Sequence, residues 1–251
     1  MPNQVFVSYA WPLKKDHDAI KARDKFMRDL EAELGRKTPL AEHGFCFYDY
    51  GHIESGEYDY REKLRASLNN CAVGLILRDQ HYMDPAKPYC FWEYQQLSKR
   101  AAKADVMPNG PKVMLIVNWD TFQANSIPRE WRREHQVVNE SIIGELDAST
   151  KERITNALRR VVSLGLRNVV IRVLNNNREA IDDYQDFLQV LVAFILRQRD
   201  AVEEAVNNDQ LKFLEVEPYS DGLTWTRSLA AVPAHSRRRS TRARSTLTAW
   251  K

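Results

Sequence analysis

The segment from Phe45 to Glu93 constrains the chain most. It reads FCFYDYGHIESGEYDYREKLRASLNNCAVGLILRDQHYMDPAKPYCFWE. Two apolar runs, Phe45 to Tyr48 and Ala72 to Leu77, each lead through a polar loop into a helical pattern. The first loop, Asp49 to Tyr58, contains Gly51 and Gly56, which admit backbone angles that other residues avoid. Leu64 and Leu68 fall one turn apart on the helix predicted from about Tyr60 to Asn70. Pro88 suits the first position of the next helix, where no backbone N–H is needed, and Glu93 sits in its second turn. Strand–loop–helix, repeated, is the unit of a parallel α/β sheet. Its polar residues follow the strands, where open α/β folds bind ligands.

The remaining chain extends this pattern. Val5 to Val7 predicts a strand buried on both faces. Ile20, Met27, Leu30 and Leu34 predict a helix over about Asp18 to Leu34, with Gly35 as its stop. On the helix from Pro88 to about Ala102, Cys90, Tyr94, Leu97 and Ala101 mark the buried face, with Glu93 beside it. Val113 to Val117 reads as a fourth strand and Asn168 to Leu174 as a fifth. Thr150 to Leu164 and Ala180 to Gln198 read as helices, while Asn118 to Gly144 is irregular. The expected architecture is a flavodoxin-like five-stranded parallel sheet with helices on both faces. The strand order 2-1-3-4-5 is assumed from that class, and it places a switch point between the first and third strands.

Composition bounds the function. Hydrophobic residues make up 43% and charged residues 28%, an ordinary globular balance. The net charge of +3 is too small to imply a nucleic-acid partner for the whole chain. It hides an arginine-rich end with Arg237, Arg238, Arg239, Arg242 and Arg244. That tail is expected to be mobile from about Ala234, and its charge suits an anionic surface or a partner protein. Cys46, Cys71 and Cys90 lack metal-ligand spacing and read as buried free thiols of a reducing compartment. No signal-peptide order or membrane-spanning run occurs, so the expected location is cytoplasmic. His52 and His81 read as ordinary surface histidines. Neither a GxGxxG after the first strand nor a P-loop is present.

Three motifs, in order, resemble those of bacterial TIR (Toll/interleukin-1 receptor-like) domains. VFVSYA resembles the family's opening strand, apolar residues followed by Ser-Tyr. FYDYGHIESGEYDYREKLRASLNNCAVGLIL resembles its second strand, BB loop, second helix and third strand, through Asp49, Gly56, Leu64 and Asn70-Cys71-Ala72. HYMDPAKPYCFWEYQQL resembles its Tyr, Trp-Cys, Glu pattern through Tyr82, Cys90 and Glu93, with Tyr89 where Trp is usual. The likeness spans residues 1–200, taken as a TIR-like domain, with 201–251 as a C-terminal extension.

The resemblance implies an NAD+ glycohydrolase that cleaves the nicotinamide–ribose bond. Its products would be nicotinamide and ADP-ribose or a cyclic form, in a setting of bacterial antiphage immunity. NAD+ would be the substrate, with no separate cofactor and no metal. Nicotinamide leaves as a neutral base, so one carboxylate suffices to meet the oxocarbenium charge on the ribose. Glu93 is the matched catalytic residue. Alone it reads as a solvated acid near a helix N-terminus, but Tyr89, Phe91, Trp92 and Tyr94 around it suit a pocket wall.

Tyr9, Ala10 and Trp11 match the family's nucleotide-binding position. Trp11 reads either as a stacking partner for nicotinamide or adenine or as a cover for the core edge. The Arg pair that some relatives carry after Tyr9 is absent, and Lys14 and Lys15 stand near enough to replace it. Asp49, Ile53, Glu54 and Tyr58 of the BB-like loop, with Tyr89, complete the expected substrate-binding set, though Asp49 also suits a purely structural turn. In related enzymes this loop contacts a neighbouring copy, so self-assembly through TIR–TIR contacts is expected. Two other readings stay open: a non-catalytic TIR adaptor acting through assembly, and a nucleoside deoxyribosyltransferase-like enzyme with Glu93 as nucleophile.

Overall fold

A computed structural model describes residues 4–10, 16–37, 46–47, 60–82, 84, 87–108, 110–121, 148–213 and 215–219. Its core is a parallel sheet of β1 (Gln4–Tyr9), β2 (Cys46–Phe47), β3 (Cys71–Arg78) and β4 (Met114–Asn118) in the order β2-β1-β3-β4. β1, β3 and β4 form its body, and β2 contributes two residues, pairing Cys46 with Val5 and Phe47 with Phe6. This matches the first four places of the assumed order. Six helices surround the sheet among the described residues: α1 (His17–Lys37), α2 (Tyr60–Asn70), α3 (Pro88–Ala104), α4 (Ala148–Leu164), α5 (Leu166–Leu174) and α6 (Arg178–Asn207).

Alternation along the strands sorts side chains between two layers. Val5, Val7 and Tyr9 of β1 join Leu75, Leu77, Leu115 and Val117 in a core with α1, α4, α5 and α6. Phe6 and Ala10 join Ile76 and Ile116 in a second core with α2 and α3. β3 is buried along its whole length, as its unbroken apolar run predicts. Gly74 lets α3 approach the sheet: a Cβ there would overlap a Leu97 methyl.

The predicted fifth strand is instead α5, and the five-stranded sheet is corrected accordingly. The run LRNVVIRVL is rich in β-branched residues, which favours a strand locally. Its buried positions, however, are Leu166, Val169 and Val170, spaced i, i+3, i+4 as on one helix face. The backbone of Gly165 makes the entry possible. Its φ of 76° is left-handed, and a Cβ would fall 2.7 Å from the Asp120 carbonyl carbon. Arg167 N–H donates to Trp119 O at 2.8 Å, fixing the start of α5 to the end of β4. Tertiary contact overrides local preference here.

Two further boundaries differ. Gly35 does not stop α1, which runs to Lys37, and nothing lies within 4 Å of where its Cβ would be. α6 continues past Gln198 to Asn207. It starts at Asn177, whose side chain accepts from Ala180 N–H at 2.9 Å. The segment after α6 then crosses to the opposite layer, where Val216 packs in the α2/α3 core. Residue 201, where the extension is expected to begin, lies inside α6, and Val216 packs on the folded unit. No helix among the described residues is long and apolar enough to cross a membrane.

Candidate functional site

Pro88 opens α3, and the turns that follow turn Cys90, Phe91, Trp92 and Glu93 inward. Glu93 is only 6% exposed. It lies inside the buried face instead of beside it, whereas Tyr94 and Ala101 are only half-buried. The partner of Glu93 comes from β1: Ser8 Oγ donates to Glu93 Oε2 at 2.5 Å. Ser8 Oγ also lies 2.6 Å from the Tyr82 hydroxyl. Since the single Ser8 proton goes to the carboxylate, Tyr82 must donate to Ser8. Burial first, then neighbouring Cys90 and Glu93, pushes the Tyr82 phenol well above its ordinary value, so it stays a donor. The result is a directed chain, Tyr82 to Ser8 to Glu93, at the C-terminal end of β1.

The outer side of this layer is sealed by the chain itself. Phe213 and residues 215–219 lie across α2 and α3 as a strap. Trp92 Nε1 donates to Glu217 O at 3.1 Å, Arg65 Nε to Val216 O at 2.8 Å, and Val216 N–H to Asn69 Oδ1 at 2.7 Å. Tyr219 stacks on Tyr89 with ring centres 4.6 Å apart, and the Arg61 guanidinium lies over Tyr219 at 4.8 Å. Tyr89, expected to touch substrate, therefore packs against Tyr219 and Tyr60 and accepts from Arg61 Nε at 3.1 Å. Phe91 and Trp92 are core residues, 2% and 1% exposed.

Tyr9 and Ala10 do border a crevice, but it opens on the α1 side of the sheet. Its volume is about 210 Å³, and Asp16, Arg23, Asp79, His81, Trp119 and Arg167 also line it. Glu93 is not among its lining residues. Ser8 and Tyr9 are consecutive on a strand, so they face opposite layers. Tyr9 thus lies on the layer opposite Ser8 and Glu93. His81, expected as an ordinary surface residue, lines this crevice.

Three element ends meet there. Asp16 caps α1, accepting from Ala19 N–H at 2.9 Å, and pairs with Arg167 at 3.3 Å. Arg167 also reaches Asp120 at 3.4 Å. Arg23, nearly buried, donates to Asp24 at 2.7 and 3.0 Å and lies over the Tyr9 ring at 5.4 Å. Asp79 accepts from His81 N–H at 2.8 Å. Burial pushes the Asp79 carboxyl up, partly offset by His81; burial likewise raises Asp120, partly offset by Arg167.

Trp11, Asp49, Ile53, Glu54 and Tyr58 lie outside the described residues, as do Lys14, Lys15, His52 and the arginine-rich tail. Sequence reasoning missed Ser8, Arg23, Asp79 and Arg167. Asp79 had a usable signal, since it ends an apolar run as Asp49 does. Ser8 sat inside the quoted opening motif without a role. Among the described residues no group of three or more His, Cys, Asp or Glu side chains is placed to hold a metal. Cys71 and Cys90 are free and buried. No protein-family model, curated protein or solved structure matches the chain.

Proposed function

We propose that the protein is a TIR-type NAD+ glycohydrolase with Glu93 as its catalytic carboxylate. The observation that carries this reading is the fixed position of Glu93, held by Ser8 at the C-terminal end of a central parallel strand. A carboxylate pre-set by a hydrogen-bond chain and surrounded by apolar side chains meets developing positive charge without reorganising first. Ser8 and Tyr82 act as positioning residues, fixing one carboxylate oxygen of Glu93. Self-assembly through the Asp49–Tyr58 loop is part of the same reading. Antiphage immunity and a cytoplasmic location are the setting this reading carries with it.

The test is NAD+ consumption by purified protein across a wide concentration range. Glu93→Gln keeps the shape and removes the charge. It should lower cleavage by about 100-fold or more, the scale of losing one preorganised electrostatic group. Binding of NAD+ should change much less. Intact NAD+ at every protein concentration would sink the proposal.

One observation favours a second reading, a non-catalytic scaffold. The Oε2 atom of Glu93 is already engaged by Ser8 inside a closed layer, which also suits a structural carboxylate. That reading predicts a folded Glu93→Gln protein with unchanged biological effect.

A further inference from the structure

The crevice on the α1 side plays no part in the reading above, which rests on Glu93 behind the opposite face of β1. It lies where open parallel sheets receive ligands, at the C-terminal ends of β1, β3 and β4. Its chemistry discriminates among ligand classes.

Both guanidinium groups are already matched by carboxylates. Arg23 pairs with Asp24, and Arg167 with Asp16 and Asp120. An entering phosphate or carboxylate would find that charge spent and would meet Asp79 as well. An organic cation would likewise find Asp16 and Asp120 spent on Arg167. A neutral ligand relies on neither charge. Its groups must nevertheless satisfy donors and acceptors at once, because Asp79 accepts, Arg167 donates, and Gln80 does both. A hydroxyl is the small group that donates and accepts together. Tyr9 and Trp119 add apolar ring surface that suits the C–H face of a sugar ring. The volume of about 210 Å³ is below that of a drug-sized pocket and suits a single ring.

We propose that this crevice binds a neutral polyol of monosaccharide size, hydrogen-bonded by Asp79, Gln80, His81 and Arg167 against Trp119. The site is separate from Glu93, and its occupation does not depend on NAD+ cleavage.

The test follows the Trp119 indole N–H resonance of the full chain carrying Glu93→Gln. That background removes turnover, so failure here and failure of the glycohydrolase reading are distinguishable. D-ribose, D-xylose and D-glucose are titrated to tens of millimolar, with inorganic phosphate and agmatine as the anionic and cationic arms. At least one sugar should give a saturable shift with a Kd in about the millimolar range, as befits a ligand this small. Gln80→Ala with His81→Ala should weaken it about fivefold or more. Gln80 is exposed and His81 half-buried, so this variant spares the core. Asp79 is left intact because it anchors the loop through His81 N–H. No saturable shift with any sugar overturns the proposal. So does saturation by phosphate or agmatine alone, or sugar binding that the double variant leaves unchanged.

Discussion

On one side of β1, Ser8 turns toward α3 and shares its hydroxyl between Tyr82 and Glu93. On the other, Tyr9, the next residue, borders an open crevice. Both sides collect polar groups at the same end of the sheet, but they satisfy them differently. The α3 side is closed: Ser8 is 1% exposed, Tyr82 0% and Glu93 6%, and hydrogen bonds link them through Ser8. The α1 side stays open to a cavity, and its carboxylates and guanidinium groups form partly exposed pairs. A closed network rigidifies and is costly to break, because a buried polar group left without a partner cannot turn to water instead. Exposed pairs contribute little to stability and leave room for a ligand. Breaking the polar network of the α3 side should therefore cost more stability than breaking a polar pair of the α1 side.

The largest expected effect sharpens that contrast. Arg100 is 3% exposed and donates to the carbonyl oxygens of Leu68 and Cys71, while its guanidinium lies 4.0 Å from the Phe213 ring centre. It ties the end of α2, the start of β3 and the strap to α3. Arg100→Ala strands two carbonyls and should cost about 3 kcal/mol in chemical denaturation. A loss under about 1 kcal/mol would mean that the closed layer is held by other contacts. The comparison across the sheet is Gln80→Ala, which should move stability by less than about 0.5 kcal/mol.

A second prediction concerns the strap. A chain ending after Phe213 loses the buried Val216, the Tyr219 stack and the carbonyl partner of Trp92 Nε1. It should be less stable by about 2 kcal/mol, from one buried aliphatic side chain and one orphaned donor. Removing only Ala234 to Lys251 should leave the unfolding midpoint in place, because that stretch offers little apolar surface to bury. Equal losses in the two truncations would contradict the assignment of the strap to the core.

These contrasts mark what was legible in the sequence. β1, β3, β4 and the helices around them were, because long apolar runs and helical spacing of Leu64 and Leu68 or Met27, Leu30 and Leu34 state their own period. α5 was not, because Val169, Val170, Ile171 and Val173 satisfy a strand locally and only their neighbours make them helical. Glu93 was singled out by motif, but its inward turn was not, since burial of an acid depends on Ser8, which lies 85 positions away. The strap was invisible for the same reason. Val216 and Tyr219 are isolated apolar residues without a period, and their partners on α2 and α3 are more than a hundred positions earlier. The split of Tyr9 from Glu93 was available in principle, because residues 8 and 9 of a strand face opposite ways.

The smallest effect tests the open side through pH. Asp79 and Asp120 have carboxyl groups raised above the ordinary value of 3.8, chiefly by burial. Each also raises or lowers with its neighbours: Asp120 raises Asp79, Asp16 raises Asp120, and His81 lowers both. A raised folded-state value means that the native protein holds these protons more tightly than the unfolded chain does. Their stabilising contribution is complete below the unfolded value and is lost as pH rises through the folded values. The variant Asp79→Asn with Asp120→Asn keeps an acceptor for His81 N–H and abolishes both titrations. Relative to wild type, its stability should improve as pH rises from 3.8 toward neutrality, by less than about 1 kcal/mol. The closed side shows its sensitivity at the other end. Tyr82 is raised above the phenol value of 10.0, so its contribution is lost only as pH climbs beyond that. Tyr82→Phe should therefore flatten the alkaline limb and leave the acid limb alone, while the double asparagine variant does the reverse. Curves that respond to both variants over the same pH range would show that the two sides are coupled through β1, and the separation argued here would fail.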